Sequence, residues 1–233
     1  MAGHILIINP NINPAVTAGI DEAVAPLRIN TGPTIEVVSL PQGPFGIEAQ
    51  ADIEAVTLPL RNYVAGRADA DAAIIACFSD PGLAVCREAV DRPVYGIGEC
   101  AMVTALTRGE AFGIIAMSAA SRTRQAKAVR AMGIGARWAG SVPLGLSVAD
   151  AAEDRAFDQV LAAGEALLQK DADVIILGCA GLSKHRVMLE ALLGVPVLDP
   201  VQCAATFAVG AIALSSAEPA PALEPRQRPR WAV

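Results

Sequence analysis

Short runs of aliphatic residues alternate along this chain with longer stretches in which apolar positions recur every three or four residues. The first run, Ile5-Leu6-Ile7-Ile8, is too short and too continuous for an amphipathic helix and predicts a strand buried on both faces. Asn13 then offers an N-cap and Pro14 a first helical residue, predicting a helix to about residue 26. Next come a strand over 34–40 and a helical stretch over 48–65, where Pro59, having no amide hydrogen, predicts a kink or a division. A strand over 72–76 follows, then a helix opened by Asp80-Pro81 and a strand over 94–97. The second half repeats this order: strand 112–116, helix 121–132, strand 136–142, helix 150–169, strand 174–177, helix 183–193, strand 197–198 and a closing helix 201–214. Apolar strands alternating with helices predict a parallel α/β architecture.

The repeat extends to the residues. Ala72-Ala73-Ile74-Ile75-Ala76-Cys77 is answered 102 positions later by Val174-Ile175-Ile176-Leu177-Gly178-Cys179, and Ser39-Leu40-Pro41 at the same offset by Ser141-Val142-Pro143. Pro93-Val94 and Cys100-Ala101 are answered 103 positions on by Pro196-Val197 and Cys203-Ala204. Several matches in register predict two pseudo-symmetric lobes, each a mostly parallel sheet flanked by helices, with the active site in the cleft between them. The first lobe is expected over 1–101, completed by the closing helix 201–214, and the second over 102–200. Residues 217–233, with four prolines among alanines and arginines, read as a disordered tail.

Composition narrows the function classes. Of 233 residues, 53% are hydrophobic and 18% charged, enough for a sizeable core and unlike a disordered chain. A net charge of -6, with no basic cluster before the tail, argues against a nucleic-acid partner. The N-terminus lacks the features of a signal peptide, and the longest weakly polar stretch, over 201–214, is too short to span a bilayer; neither a membrane partner nor an export route is expected. A cytoplasmic protein is the reading, with its five cysteines as free thiols. Without a CxxC and with only two histidines, no metal is expected.

Two of those thiols stand where this architecture puts chemistry. Cys77 and Cys179 each end an apolar strand and precede a Gly-containing turn into a helix, and ligands of parallel sheets sit beyond the strands' carboxyl ends. Helix N-termini there are expected to lower the thiol pKa values. Paired across a cleft, one thiolate can take an α-proton from one face of a carbon acid while the opposite thiol delivers a proton to the other face. Backbone N–H groups of the turns can stabilise the enolate-like intermediate. Cys86, Cys100 and Cys203 read as core residues.

At these residues the chain resembles the Asp/Glu/hydantoin racemase superfamily, and within it the hydantoin and allantoin racemase branch. The resemblance covers about residues 4–205. It rests on Ile8-Asn9-Pro10-Asn11 with Thr17, on Ala76-Cys77-Phe78-Ser79-Asp80-Pro81-Gly82, on Gly96-Ile97-Gly98-Glu99, and on Gly178-Cys179-Ala180-Gly181 with Val195-Pro196-Val197. It implies a two-lobed fold, catalysis by Cys77 and Cys179, no cofactor, a small-molecule substrate and a homo-oligomer. It further implies substrate contacts by Asn11 and by the segments after each cysteine, Phe78-Ser79 and Ala180-Gly181. By its residues alone, Asn11 can equally close a turn. Where the hydantoin branch usually carries two hydroxyl residues, this chain has Met117-Ser118; Ser118 retains a hydrogen-bond donor and Met117 makes the wall more apolar.

Other polar residues have weaker signals. Glu99 reads as a helix-start carboxylate or a support for the site, Lys184 and His185 as surface residues, and Arg122 and Arg124 as a solvated helix face or a contact for an anionic substrate. Acidic amino acids, or isomerisation or decarboxylation of a small diacid, are the alternative chemistries; Cys77 counts against the decarboxylase type. A non-catalytic small-molecule binding protein is the alternative class.

Overall fold

The computed structural model describes residues 3–147, 150 and 156–215. The tail read as disordered, 217–233, lies outside the described residues, as does part of the long helix expected over 150–169.

Two four-stranded sheets organise the chain, and every pairing between neighbouring strands is parallel. The first contains β1 (His4–Asn9), β2 (Thr34–Ser39), β3 (Ala72–Ile75) and β4 (Val94–Gly96) in the order β2-β1-β3-β4. The second contains β5 (Phe112–Ala116), β6 (Trp138–Pro143), β7 (Val174–Leu177) and β8 (Val197–Leu198) in the order β6-β5-β7-β8, the same permutation four strands later. The expected two-lobed α/β architecture is present. The helices are α1 (Pro14–Ala23), α2 (Gln50–Gly66), α3 (Leu83–Ala89), α4 (Ile97–Ala105), α5 (Ala119–Ala131), α6 (Phe157–Leu168), α7 (Arg186–Leu193) and α8 (Pro200–Ser215).

The strands are continuously apolar because both faces are covered. Ile5, Ile7 and Ile74 face one way, into a core that also takes Phe112, Ile114, Val174 and Ile176 from the second sheet. Leu6, Ile8 and Ile75 face outward against α2 and α3. Ile115, Ile175 and Leu177 face outward against α6 and α7. Between the sheets lie α4 and α8, packed on each other; α8 also contacts β1, β3 and β4, and α4 contacts β4 and β7. No described helix is long and apolar enough to cross a membrane.

Several boundaries differ from the sequence expectation for local reasons. Asn13 caps α1 as expected, its side chain accepting from Ala15 N at 3.0 Å. Pro59 sits inside an unbroken α2; the carbonyl it leaves without a donor belongs to Ala55, an exposed residue that water can reach. Helix α3 starts at Leu83, not at Asp80-Pro81, because Asp80 (φ 47°) and Gly82 (φ 68°) hold a left-handed turn. Ser118 caps α5 through Ser121 N, so that helix starts before residue 121. The helix expected over 183–193 divides into a 3-10 segment, Ala180–His185, and α7.

Because the inner core belongs to both sheets, Ile114→Ala is expected to lower the unfolding free energy by about 2–5 kcal/mol. Urea melts followed by Trp138 fluorescence, a second-lobe probe, and by far-UV circular dichroism are expected to coincide; separate midpoints would mean that the lobes unfold independently.

Candidate active site

The loops after the two central strands of each sheet converge on one cavity. Asn11 follows β1, Ala76 to Ser79 follow β3, Met117 and Ser118 follow β5, and Gly178 to Ala180 follow β7; all line it. The structure therefore brings Cys77 and Cys179 to a shared cavity, together with Asn11, Phe78, Ser79, Ser118 and Ala180. Gly181 does not line it, but its N–H donates to Cys179 Sγ at 3.4 Å.

The Asn-Pro-Asn turn is held by its own side chains. Asn9 Nδ2 donates to Asn11 Oδ1 (3.0 Å) and Thr17 Oγ1 (2.9 Å), and Asn13 N donates to Asn11 Oδ1 (2.9 Å). A backbone N–H can only donate, so the Asn11 atom it meets is the oxygen. The Asn11 Nδ2 amide, with no partner among the described residues, remains available to an acceptor in the cavity.

The Cys77 turn is anchored by Asp80. Its carboxylate accepts from Gly98 N (2.9 Å) and Glu99 N (2.8 Å), so it caps α4 from 18 residues upstream. The close approach requires glycine on α4's side. A Cβ on Gly96 would lie 2.3 Å from the Asp80 carboxyl carbon, and one on Gly98 would lie 2.3 Å from Phe78 O. This accounts for the Gly96-Ile97-Gly98 motif. Asp80's place in the site carried no local sequence signal. Burial raises its pKa to about 7 against the two N–H donors that favour the carboxylate.

The thiols depart from the sequence expectation. Withdrawal from water pushes Cys77 up to about 12 and raises Cys179 as well. Ser79 N–H and Arg124 favour a Cys77 thiolate, and Gly181 N–H favours a Cys179 thiolate, but desolvation outweighs them. Cys77 is followed by a turn rather than an α-helix, and Cys179 by a 3-10 segment, so neither has the full helix-terminal field that was expected. A charge on Cys179 raises Cys77 further, which disfavours two thiolates at once and favours one thiolate beside one thiol.

The cavity also contains residues that the sequence reading did not assign to it. Ile47 and Glu48 come from the loop before α2, and Leu146 from the matching loop after β6. That loop is fixed in the first lobe by Asp52, which accepts from Glu48 N (2.9 Å) and Ala49 N (2.8 Å). Arg124 lines the cavity from α5 and donates from Nη2 to Glu48 O at 2.9 Å, tying the lobes together; Arg122 is exposed and does not line it. Helical phase separates the two arginines.

Elsewhere, Glu99 pairs with Arg87 at 2.9 Å and stays outside the cavity. Lys184 is exposed as expected, but His185 is buried, its ring 5.7 Å from that of Phe157. Cys86, Cys100 and Cys203 are buried in the apolar clusters. Among the described residues, one group has metal-ligand spacing, His4, Glu36 and Asp69. It lies away from the cavity, and Arg67 already pairs with both carboxylates.

Residues 5–208 match the family model described as Asp/Glu/Hydantoin racemase. The chain is 35% identical over 218 residues to the hydantoin racemase of Paenarthrobacter aurescens, covering 91% of this chain and 92% of that protein. Among solved structures, the allantoin racemase from Klebsiella pneumoniae superposes with a TM-score of 0.85 at 27% identity, covering 91% of this chain and 88% of the other. The allantoin racemase from Pseudomonas fluorescens gives 0.84 at 25% identity, with 95% and 99% covered.

In the free protein, Cys77 is expected to alkylate more slowly with iodoacetamide than a model thiol at neutral pH. Because its pKa is raised, the thiolate fraction and the rate should climb about tenfold per pH unit to at least pH 10. A plateau below pH 8, followed by mass spectrometry of the Cys77 peptide, would show that the turn's donors overcome desolvation.

Proposed function

The chain belongs to the Asp/Glu/hydantoin racemase family and is an isomerase, a racemase; from that premise we propose that it inverts the carbonyl-activated stereocentre of a 5-substituted hydantoin, allantoin or a related small substrate. The proposed catalysts are Cys77 and Cys179, acting as paired acid and base without a cofactor. The observation that carries this reading is that both thiols, from equivalent loops of the two sheets, line one cavity.

In this reading one thiolate removes the proton on the α-carbon, and the electron pair moves onto the adjacent carbonyl as an enolate. The opposite thiol returns a proton to the other face and becomes the thiolate. One proton is taken and one given, so each turnover leaves the charge on the other sulfur, and the reverse direction uses the thiols in exchanged roles. Desolvation makes the thiolate scarce but, once formed, a stronger base, which suits a weakly acidic carbon. The open Asn11 amide can stabilise the enolate oxygen. Ser79, Ser118 and Ala180 would border the ring.

The hydantoin and allantoin readings are favoured over acidic amino acids by what the relatives are named for. A small-diacid decarboxylase fits less well, because the pair of thiols then has no need to be complete. Self-association belongs to the same reading. On α7, Met188 and Leu192 are one turn apart and 57% and 56% exposed, an apolar stripe suited to a second copy. A cytoplasmic setting would keep both thiols reduced.

Proton NMR of solvent-deuterium exchange at the α-carbon tests the mechanism on L- and D-5-alkylhydantoins, allantoin, L-Asp and L-Glu. Wild type is expected to exchange with inversion on a hydantoin or allantoin. Cys77→Ser and Cys179→Ser are each expected to lose inversion by about 10²–10⁴-fold, any residual exchange being confined to one enantiomer. Inversion retained in either variant would remove that thiol from the mechanism.

A further inference from the structure

The cavity between the thiols is small. It measures about 80 Å³, so a ring held between the thiols leaves little room there for its substituent. A second chamber of about 280 Å³ shares the walls Phe78, Ser79 and Arg124 with the first. It runs between α2, α4 and α5. Ile53, Met102 and Ala128 give it apolar sides.

Its polar groups are unevenly signed. Asp80 contributes a carboxyl whose oxygens already accept from Gly98 N and Glu99 N. Two cations also line it, the exposed Lys127 and Arg124. The Arg124 guanidinium is fixed by one hydrogen bond, from Nη2 to Glu48 O. Its Nη1 has no partner among the described residues, and its Nε is buried without one. The open Nη1 beside a chamber that Arg124 lines is a donor available to an acceptor there. Guanidinium edges suit planar carboxylates, which accept two parallel hydrogen bonds.

We propose that this second chamber receives the substituent on the substrate's stereocentre, and that Arg124 is a specificity-determining residue selecting substituents that end in a carboxylate. The substrate class is then a hydantoin bearing an acidic side chain. Lys127 adds charge without a fixed geometry. The proposal rests on the hydantoin racemase reading.

The test compares 5-(2-carboxyethyl)hydantoin with its neutral isostere 5-(2-carbamoylethyl)hydantoin, with 5-methylhydantoin as reference, by α-proton exchange. Wild type is expected to favour the carboxylate over the isostere by about tenfold or more in kcat/KM, and Arg124→Gln to lower that ratio by about 10–100-fold, chiefly through KM. Arg124→Lys should recover part of the ratio, since it keeps the charge and loses the planar edge. Equal turnover of the two isosteres by wild type overturns the proposal, and this arm holds even if Arg124→Gln does not fold. A uniform loss on both substrates in Arg124→Gln also overturns it, because Arg124 would then act on the thiol rather than on the substituent. Exchange on 5-methylhydantoin without charge preference defeats this proposal alone; exchange on none of the three defeats the hydantoin reading with it.

Discussion

Burial of the inner faces of both sheets against the same pair of helices determines where everything else in this protein can sit. Helices α4 and α8 pack on each other between the sheets. The residues there are small: Ala101, Ala105, Ala204, Ala205 and Ala208 are all at most 1% exposed. Small side chains let helix axes approach closely, and the sheets follow them inward. Two separate sheets thus share a single inner core, and their carboxyl ends face one cavity. The chemistry is a consequence of that packing. Cys77 and Cys179 occupy equivalent places in the two halves, so whatever brings β3 and β7 into the same frame also brings the thiols to the same space.

Close packing also sets the electrostatics of the cleft. The same exclusion of water that would strengthen any hydrogen bond to an enolate holds both thiols in their neutral form. The protein offsets this only in part, with Ser79 N–H and Arg124 on one side and Gly181 N–H on the other. One thiolate in the pair is tolerable and two are not, which is the charge state that proton transfer across a plane needs. Asp80 belongs to the same balance. Its carboxyl is buried close to Cys77 yet is spent on the N-terminus of α4, so it fixes the turn without acting as the base.

Much of this was legible in the residues because it is written locally or in register. The aliphatic runs placed the central strands, Asn13-Pro14 marked the start of α1, and the offset of 102 between the cysteine blocks revealed the internal repeat. What was not legible depends on distance or on solvent. Asp80 caps a helix 18 positions away, across a gap that no periodicity spans. Gly96 and Gly98 look like a motif, but their reason is the close approach of the Asp80 carboxylate and the Phe78 carbonyl from another loop. The thiol pKa values were expected to fall on the strength of nearby backbone N–H groups; the depth of burial that raises them is a property of the assembled lobes. His185 was read as a surface residue because exposure is the commoner fate in the first turns of a helix, whereas the 3-10 turn rotates it inward against Phe157. Arg124 could be told from Arg122 only once the phase of α5 was fixed.

The remaining asymmetry between the lobes has a mechanistic logic. A racemase must turn over both enantiomers with equal kcat/KM, since the equilibrium between them is even, and only the direction of the α-proton distinguishes them. The groups that meet that proton should therefore be matched across the cleft, and Cys77 and Cys179 are. The groups that hold the rest of the substrate have no such constraint, because the ring and its substituent can occupy the same places in both enantiomers. It is there that the halves diverge. Asn11 after β1 stands opposite Ser118 after β5, Met117 makes one wall apolar, and the second chamber lies on the side of Phe78 and Arg124. In the proposed mechanism, pseudo-symmetry is kept at the two sulfurs assigned the proton exchange and given up among the residues assigned to the rest of the substrate.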